Sequence, residues 1–387
     1  MKITRMIAAG IAAMITSMGL ARFSFTPMIN IMAKADVLSV AHAGELASLN
    51  YAGYLFGSVF FMLYRTYKKL TWFYTLYAVN ALTLLMMPFS QSYSFWAVLR
   101  TVSGFASAGM FILFSAVVLE HLARQNKAHF AGLIYTGIGI GIFISGLSVL
   151  IMAEHTGWQN MWIVFFIESL ALFPLCFIGT DGDHAAVKTD KSDEKTPMHP
   201  YIYFLGTAYF FMGAAYIVNG TFLVVIIDSI ENLKGFGGYT AWMITGLSAI
   251  PGIVYLSMTA GRKGYLSNLI PAYVVLGISC ILPAVSKNPA AVMLAAALYG
   301  ATFLGIVSLT VAFSRKLAGS HTTFAVGLVT TAFGIGQMLG PVAAGYSAQI
   351  TGSFSGALMI SAVFCAVSIA ILLMGCSIYR RSNVCRS

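Results

Sequence analysis

Twelve stretches dominated by apolar side chains, each about 20 residues or longer and separated by short polar breaks, occupy nearly the whole of this sequence. A soluble core has no room for such a succession, whereas hydrocarbon does. A helix crosses a bilayer core about 30 Å thick in about 20 residues, and it satisfies its own backbone N–H and C=O groups where water cannot. The runs fall near residues 6–33, 44–64, 70–89, 93–120, 129–152, 158–179, 201–227, 238–260, 265–284, 289–313, 321–348 and 352–377. They predict an all-α integral membrane protein with twelve transmembrane helices. Of the 387 residues, 59% are hydrophobic and 9% charged, far from the roughly one-quarter charged that soluble domains carry. The long first, fourth, seventh and eleventh spans are expected to tilt or protrude. Lys2 and Arg5 before the first run imitate a secretory leader, but the many runs that follow predict that it stays as the first span.

The basic residues give the chain an orientation, because retained Lys and Arg mark the cytoplasmic side. One side collects Lys2, Arg5, Arg65, Lys68, Lys69, Arg124, Lys127, Lys188, Lys191, Lys195, Arg262, Lys263, Arg315, Lys316, Arg380, Arg381 and Arg386; the other has only Lys34, Lys234 and Lys287. This strict alternation predicts cytoplasmic termini in a multi-pass inner (plasma) membrane. The net charge of +10 then reflects topology and contact with membrane lipid, not nucleic-acid binding. The longest polar stretch, TDGDHAAVKTDKSDEKTPMHP at 180–200, reads as a flexible cytoplasmic linker. It divides the chain into residues 1–179, 180–200 and 201–387.

The two long parts echo each other. AGLIYTGIGIGIFISG from Ala131 aligns with VGLVTTAFGIGQMLGP from Val326, so that Gly132, Leu133, Thr136, Gly139, Ile140 and Gly141 meet Gly327, Leu328, Thr331, Gly334, Ile335 and Gly336. Gly104 and Gly109 are echoed by Gly300 and Gly305. Duplicated helical halves around a central cavity are the usual architecture of secondary transporters. Small residues let helices approach closely, so Gly104, Gly109, Gly137, Gly139, Gly141, Gly334, Gly336 and Gly340 are expected at tight and, in the fifth span, mobile helix contacts. Pro27, Pro174, Pro251 and Pro341 are expected to bend or break their spans.

Arg22, in MGLARFSFTPMI, is the most informative polar residue. A guanidinium at mid-bilayer costs several kcal/mol even on mild scales, so it must face protein, water or a counter-ion. At helical spacing it shares a strip with Gly19, Thr26 and Asn30, a face that could line an aqueous path. Its planar fork suits a carboxylate or phosphate. Arg100 shares a strip with Gly104 and Ser107, and both arginines fall in the outer half of the membrane. Glu168, the one acid deep inside a span, could carry a proton during transport or simply join helices. Glu45 and Asp228, near outer span ends, could form a gate pair or merely solvate those ends. Glu120 is expected to pair locally with Arg124. Asn50, Tyr54, Tyr209, Tyr216, Asn219 and Gln337 are too polar to face lipid and are expected inward, several of them on substrate. Trp72, Trp158 and Trp162 are expected to anchor span ends at the interface.

Other chemistries lack their residues. There is no Walker-type phosphate loop and no HExxH. The histidines are scattered, and Cys176, Cys280, Cys365, Cys376 and Cys385 have no paired spacing. Neither an enzyme nor a cofactor or metal is expected.

The twelve spans, the six-plus-six repeat and RTVSGFASAG in the fourth span resemble the Major Facilitator Superfamily (MFS), whose arginine-and-glycine motif maps onto Arg100, Gly104 and Gly109. GLARFSFTPMI followed by GELASLNYAGYLFGS resembles its YbfB/YjiJ-like branch, through Arg22, Phe23, Thr26 and Pro27 with Asn50, Tyr51, Gly53, Tyr54 and Gly57. The resemblance implies two pseudo-symmetric six-helix bundles and alternating access. It also implies that the first, fourth, seventh and tenth helices line the path, with Arg22 and Arg100 on it and Tyr216 opposite. The sixth helix would be peripheral, which argues against Glu168 as a proton carrier. The fifth-span glycines resemble a motif of exchangers, without its proline near Ser145 and Gly146. YRTYKKLT and AGRKGYLS keep the basic residues of the family's loops but lack the acid, so their charge is read as setting topology.

The expected function is gradient-driven movement of a small anionic metabolite, foremost a carboxylate, by a chain working as a monomer, with protons as a possible coupling ion. Proton-driven export of amphipathic compounds is the second reading, and a non-transporting membrane receptor or scaffold the third.

Overall fold

The computed structural model describes residues 3–64, 66, 68–153, 155–178 and 197–379. Positions 180–196 of the expected linker lie outside the described residues, as do Lys2, Arg65, Arg380, Arg381, Cys385 and Arg386. Twelve helices are long and apolar enough to cross a membrane: Ile3–Lys34, Val40–Leu63, Lys69–Phe89, Tyr93–Arg124, Gly132–Met152, Trp158–Phe177, Tyr201–Asp228, Gly237–Lys263, Leu266–Val285, Pro289–Leu317, Phe324–Thr351 and Ser355–Ile378. They are called the first to twelfth spans below, and there is no strand among the described residues. The fourth span, at 32 residues, is about 48 Å long at 1.5 Å per residue and overshoots the hydrocarbon. Apolar side chains such as Val98, Ile151, Ile167, Leu247 and Ile350 stay exposed on the outside, where lipid is the only suitable cover.

The expected duplication is written into the packing. The second span lies along the fourth, the third along the fourth and sixth, and the first along the fifth and sixth. The same relations recur six spans later: eighth with tenth, ninth with tenth and twelfth, seventh with eleventh and twelfth. The two groups of six meet where the second span lies on the eleventh and the fifth on the eighth. Glycine contacts repeat as well. A Cβ on Gly104 would strike the Asn50 carbonyl oxygen, and one on Gly300 the Thr245 carbonyl oxygen. Gly57 and Gly252 are pressed in the same manner on the backbone of Phe105 and Ala301.

Because backbone rather than a flexible side chain blocks the space, Gly104→Ala and Gly300→Ala are each expected to destabilise the protein by about 1–3 kcal/mol. Thermal denaturation in detergent checks this. Gly132→Ala is the neutral control, since its Cβ would meet nothing within 4 Å.

Two expectations need correcting. The first span is not one regular helix: α-helix over Ile3–Met14 and Phe25–Lys34 flanks a π-helical segment, Ile15–Phe23. Trp158 and Trp162 are not interfacial anchors but core residues, 4% and 0% exposed. Trp162 packs 6.4 Å from the Phe25 ring, just past the break in the first span.

Candidate functional site

The irregular first span builds the site. Gly19 has no side chain, so its backbone lies directly on that of Gly141 in the fifth span. Pro27 supplies no N–H, which removes the helical donor that the Phe23 carbonyl would otherwise receive. Over Ile15–Phe23 the chain widens into π turns, a form common at functional sites. Two carbonyls near the end of this segment accept from Arg100. Its Nη1 donates to the Ala21 oxygen at 3.1 Å and its Nη2 to the Arg22 oxygen at 3.4 Å. The guanidinium also lies 4.2 Å from the centroid of the Phe25 ring. Ser103 adds a bond to the Ala21 oxygen at 3.5 Å, and the Asn50 amide donates to the Arg100 carbonyl at 2.8 Å. Arg100, expected to face substrate, thus spends both terminal nitrogens on the backbone that carries Arg22.

Arg22 itself is differently placed. It is 4% exposed, and its guanidinium lies 4.3 Å from the Tyr54 ring, 4.8 Å from Tyr51 and 5.5 Å from Phe23. Its Nε and Nη2 are buried without an acceptor. The ion pairs among the described residues are Lys34–Asp228 and Lys69–Glu120, so no acid neutralises it. Ring faces offer a cation about 0.5–2 kcal/mol each, but they accept no conventional hydrogen bond. The expected strip is also redistributed by the π turns: Gly19 faces the fifth span, whereas Thr26 donates to the Gly220 carbonyl of the seventh.

A run of stacked rings stands beside this cation. Phe23 meets Phe303 at 6.1 Å, and Phe303 stacks with Tyr299 at 4.9 Å and with Tyr216 at 6.0 Å. Tyr216 stacks on Phe333 at 5.4 Å, and Phe333 on Tyr209 at 4.3 Å. Gln337 donates to the Tyr216 hydroxyl, and the Tyr299 hydroxyl is buried with no partner. Arg22, Tyr54, Tyr216 and Gln337 are therefore brought together, with Asn50 behind Arg100. Asn219 is not part of the group, because its amide turns toward the Cys280 sulfur at 3.5 Å. Tyr51, Phe303, Phe333 and Tyr299 were not singled out as site residues. The sequence signal for Tyr51 is its place in the stretch that carries the branch resemblance, beside Asn50.

On the side away from the chain termini, bonds join the two groups of six. Lys34 pairs with Asp228 at 2.7 Å, Asn30 donates to the Tyr239 hydroxyl at 3.0 Å, and the hydroxyls of Tyr51 and Thr221 lie 3.2 Å apart. Tyr346 donates to Glu45, and the Ala41 N–H to Gln349 at 3.3 Å. Glu168 lies elsewhere, half-buried and accepting from Ser148, with its second oxygen unpartnered. Glu120 pairs across to Lys69 instead of along its own helix to Arg124, because helix packing brings the third span's first residue to it. The eight glycines all sit at close contacts, Gly139 on the Gly246 carbonyl at the seam between fifth and eighth spans, Gly137 on the Ile11 carbonyl and Gly336 on that of Phe210. Gly109, Gly334 and Gly340 pack on Phe61, Leu55 and Ile217.

Residues 14–373 match the family described as "Uncharacterised MFS-type transporter YbfB". A "Putative metabolite transport protein" of Haemophilus influenzae is 22% identical over 215 residues, which is 54% of this chain and, at 51%, about half the length of that relative. Among solved structures, an aspartate-to-alanine variant of the nucleoside transporter NupG aligns with a TM-score of 0.75 at 12% identity, covering 97% of this chain and 100% of that one. A second NupG structure gives 0.73 at 13% identity, with 97% and 99% covered. Identities this low establish a shared fold.

Proposed function

The chain belongs to the MFS-type transporter family described by YbfB, and on that premise we propose that it moves a small organic anion, foremost a carboxylate, across the plasma membrane by alternating access. The carrying observation is the Arg22 guanidinium, buried with two nitrogens lacking acceptors and, among the described residues, no acid paired with it. A buried charge persists when something offsets its desolvation, and a transported anion is the partner that the surrounding protein does not supply. The bodies that rock are residues 1–179 and 201–387, joined through 180–200, with the monomer as the working unit. By the distribution of basic residues both termini are cytoplasmic, and the face where those bonds join the two groups is then the outer one. Among the described residues no acid pairs with Arg22, so no side chain is assigned to proton coupling.

A second reading draws on the stacked rings from Tyr209 to Tyr299. They favour a ring-bearing or amphipathic cargo, including export of such compounds. Uptake and counterflow in proteoliposomes, preceded by a thermal-shift screen of carboxylates, phosphates, nucleosides and cationic dyes, separates the two. Stabilisation by anions with saturable flux supports the first; stabilisation by uncharged rings alone overturns it. Binding without flux would indicate a receptor instead.

The Lys34–Asp228 pair gives a smaller effect. Lys34 is 47% exposed, and partly solvated pairs contribute little, so Asp228→Asn is expected to raise the population open on that side about two- to fivefold. Labelling of an Asn30→Cys reporter by a membrane-impermeant maleimide, with and without Asp228→Asn, measures it.

A further inference from the structure

The loop between the eighth and ninth spans and the end of the tenth border a half-open cavity of about 320 Å³ lined by Ala260, Gly261, Arg262, Lys263, Gly264, Tyr265 and Lys316. Three of these residues are cations and none is an acid. None of the three appears in an ion pair among the described residues. The chain turns at Gly264 with φ +89°, ψ 160°, a conformation open essentially to glycine alone. The wall is firm: Tyr265 stacks on Phe313 at 5.1 Å, and the Lys316 ammonium lies 5.7 Å from the centroid of the Tyr265 ring. Like charges gathered around a hollow repel one another unless an anion sits among them.

The position of the cavity selects the anion. It lies at the membrane-surface ends of three spans, where headgroups stand. Below it, Tyr255 and Met258 are 60% and 63% exposed, and they continue along the eighth span at helical spacing on the face that ends in Arg262. An apolar stripe leading into a cluster of cations fits a molecule with acyl chains and a charged head. We propose that this cavity binds the phosphate headgroup of an anionic phospholipid, with its chains laid along Tyr255 and Met258. The shared chemistry with a soluble phosphate is the phosphoryl group; the acyl stripe is what commits the site to lipid. The inference stands apart from the transport reading.

Native mass spectrometry of the full chain in detergent tests it with phosphatidylglycerol, phosphatidylcholine and inorganic phosphate as probes. The triple variant Arg262→Gln, Lys263→Gln, Lys316→Gln is compared with Arg5→Gln, Lys68→Gln, Lys127→Gln, which removes equal charge elsewhere on the same side. The first triple is expected to bind phosphatidylglycerol about tenfold or more weakly than the second, with phosphatidylcholine unaffected. Lys316→Gln alone is expected to lose about threefold, which keeps the test open if the triple fails to fold. Equal retention by both triples overturns the proposal. So does inorganic phosphate that displaces phosphatidylglycerol stoichiometrically at matched ionic strength, which would assign the site to a soluble anion.

Discussion

Arg22→Met is expected to abolish anion binding and, in the same sample, to raise the melting temperature of the ligand-free protein. Both signs come from one geometry. A guanidinium whose Nε and Nη2 are buried without acceptors is a liability when empty, and replacing buried ionic groups by apolar ones of similar size is often stabilising by about 1–4 kcal/mol. When an anion is bound, two charge-assisted hydrogen bonds at about 1.5–3 kcal/mol each are at stake, so affinity falls about 100-fold or more. Ligand-induced stabilisation disappears with it, since the shift grows as the logarithm of ligand concentration over Kd. Arg22→Lys keeps the charge but not the fork and is expected to fall between. The measurements are thermal shift with and without the best carboxylate from the screen, and proteoliposome uptake. If Arg22→Met keeps its affinity for that carboxylate, the guanidinium is not the anion's partner; if it merely destabilises the empty protein, the cation is structural.

The spans, the repeat and the basic alternation could be read directly because each is a one-dimensional pattern: twenty apolar residues, an offset of 195, a charge at every second break. Gly104 and Gly300 were legible for the same reason, and both are pressed on carbonyls one repeat apart. The surroundings of Arg22 were not. A strip at 3.6 residues per turn joins Arg22 to Gly19 and Thr26, but the π turns over Ile15–Phe23 change the angle per residue and send those neighbours to the fifth and seventh spans. Pairs such as Lys34–Asp228 and Lys69–Glu120 join separate spans, and helical spacing within one span says nothing of them. Phe303 and Phe333 escaped because phenylalanine in an apolar run looks alike whether it faces lipid, core or site. Trp162 misled for the converse reason, since a tryptophan near a span end suits the interface until packing buries it.

Arg100→Met is expected to act with the opposite sign on stability. This arginine meets backbone acceptors with both terminal nitrogens, and only its Nε is buried without one. Its loss leaves the Arg22 carbonyl without the bond from Nη2 and the Ala21 carbonyl with only the longer one from Ser103. A buried acceptor left unsatisfied costs about 1–3 kcal/mol, so the melting temperature falls. Anion affinity falls too, because the segment that presents Arg22 is no longer held. Arg100→Lys can reach one carbonyl but not bridge both, so it should recover part of the stability and little of the affinity. A general structural role would predict those two readouts to recover together. Pro27→Ala gives the sharper comparison. It returns an N–H to the break and lets the first span approach a regular helix, in which fewer carbonyls need outside donors. In the double variant Arg100→Met, Pro27→Ala, stability is therefore expected to exceed the sum of the single effects, as coupled neighbours do, while anion binding stays lost because the π segment that displays Arg22 has been straightened. Additive melting temperatures, or anion binding restored by the double variant, would mean that Arg100 does not serve the break in the first span.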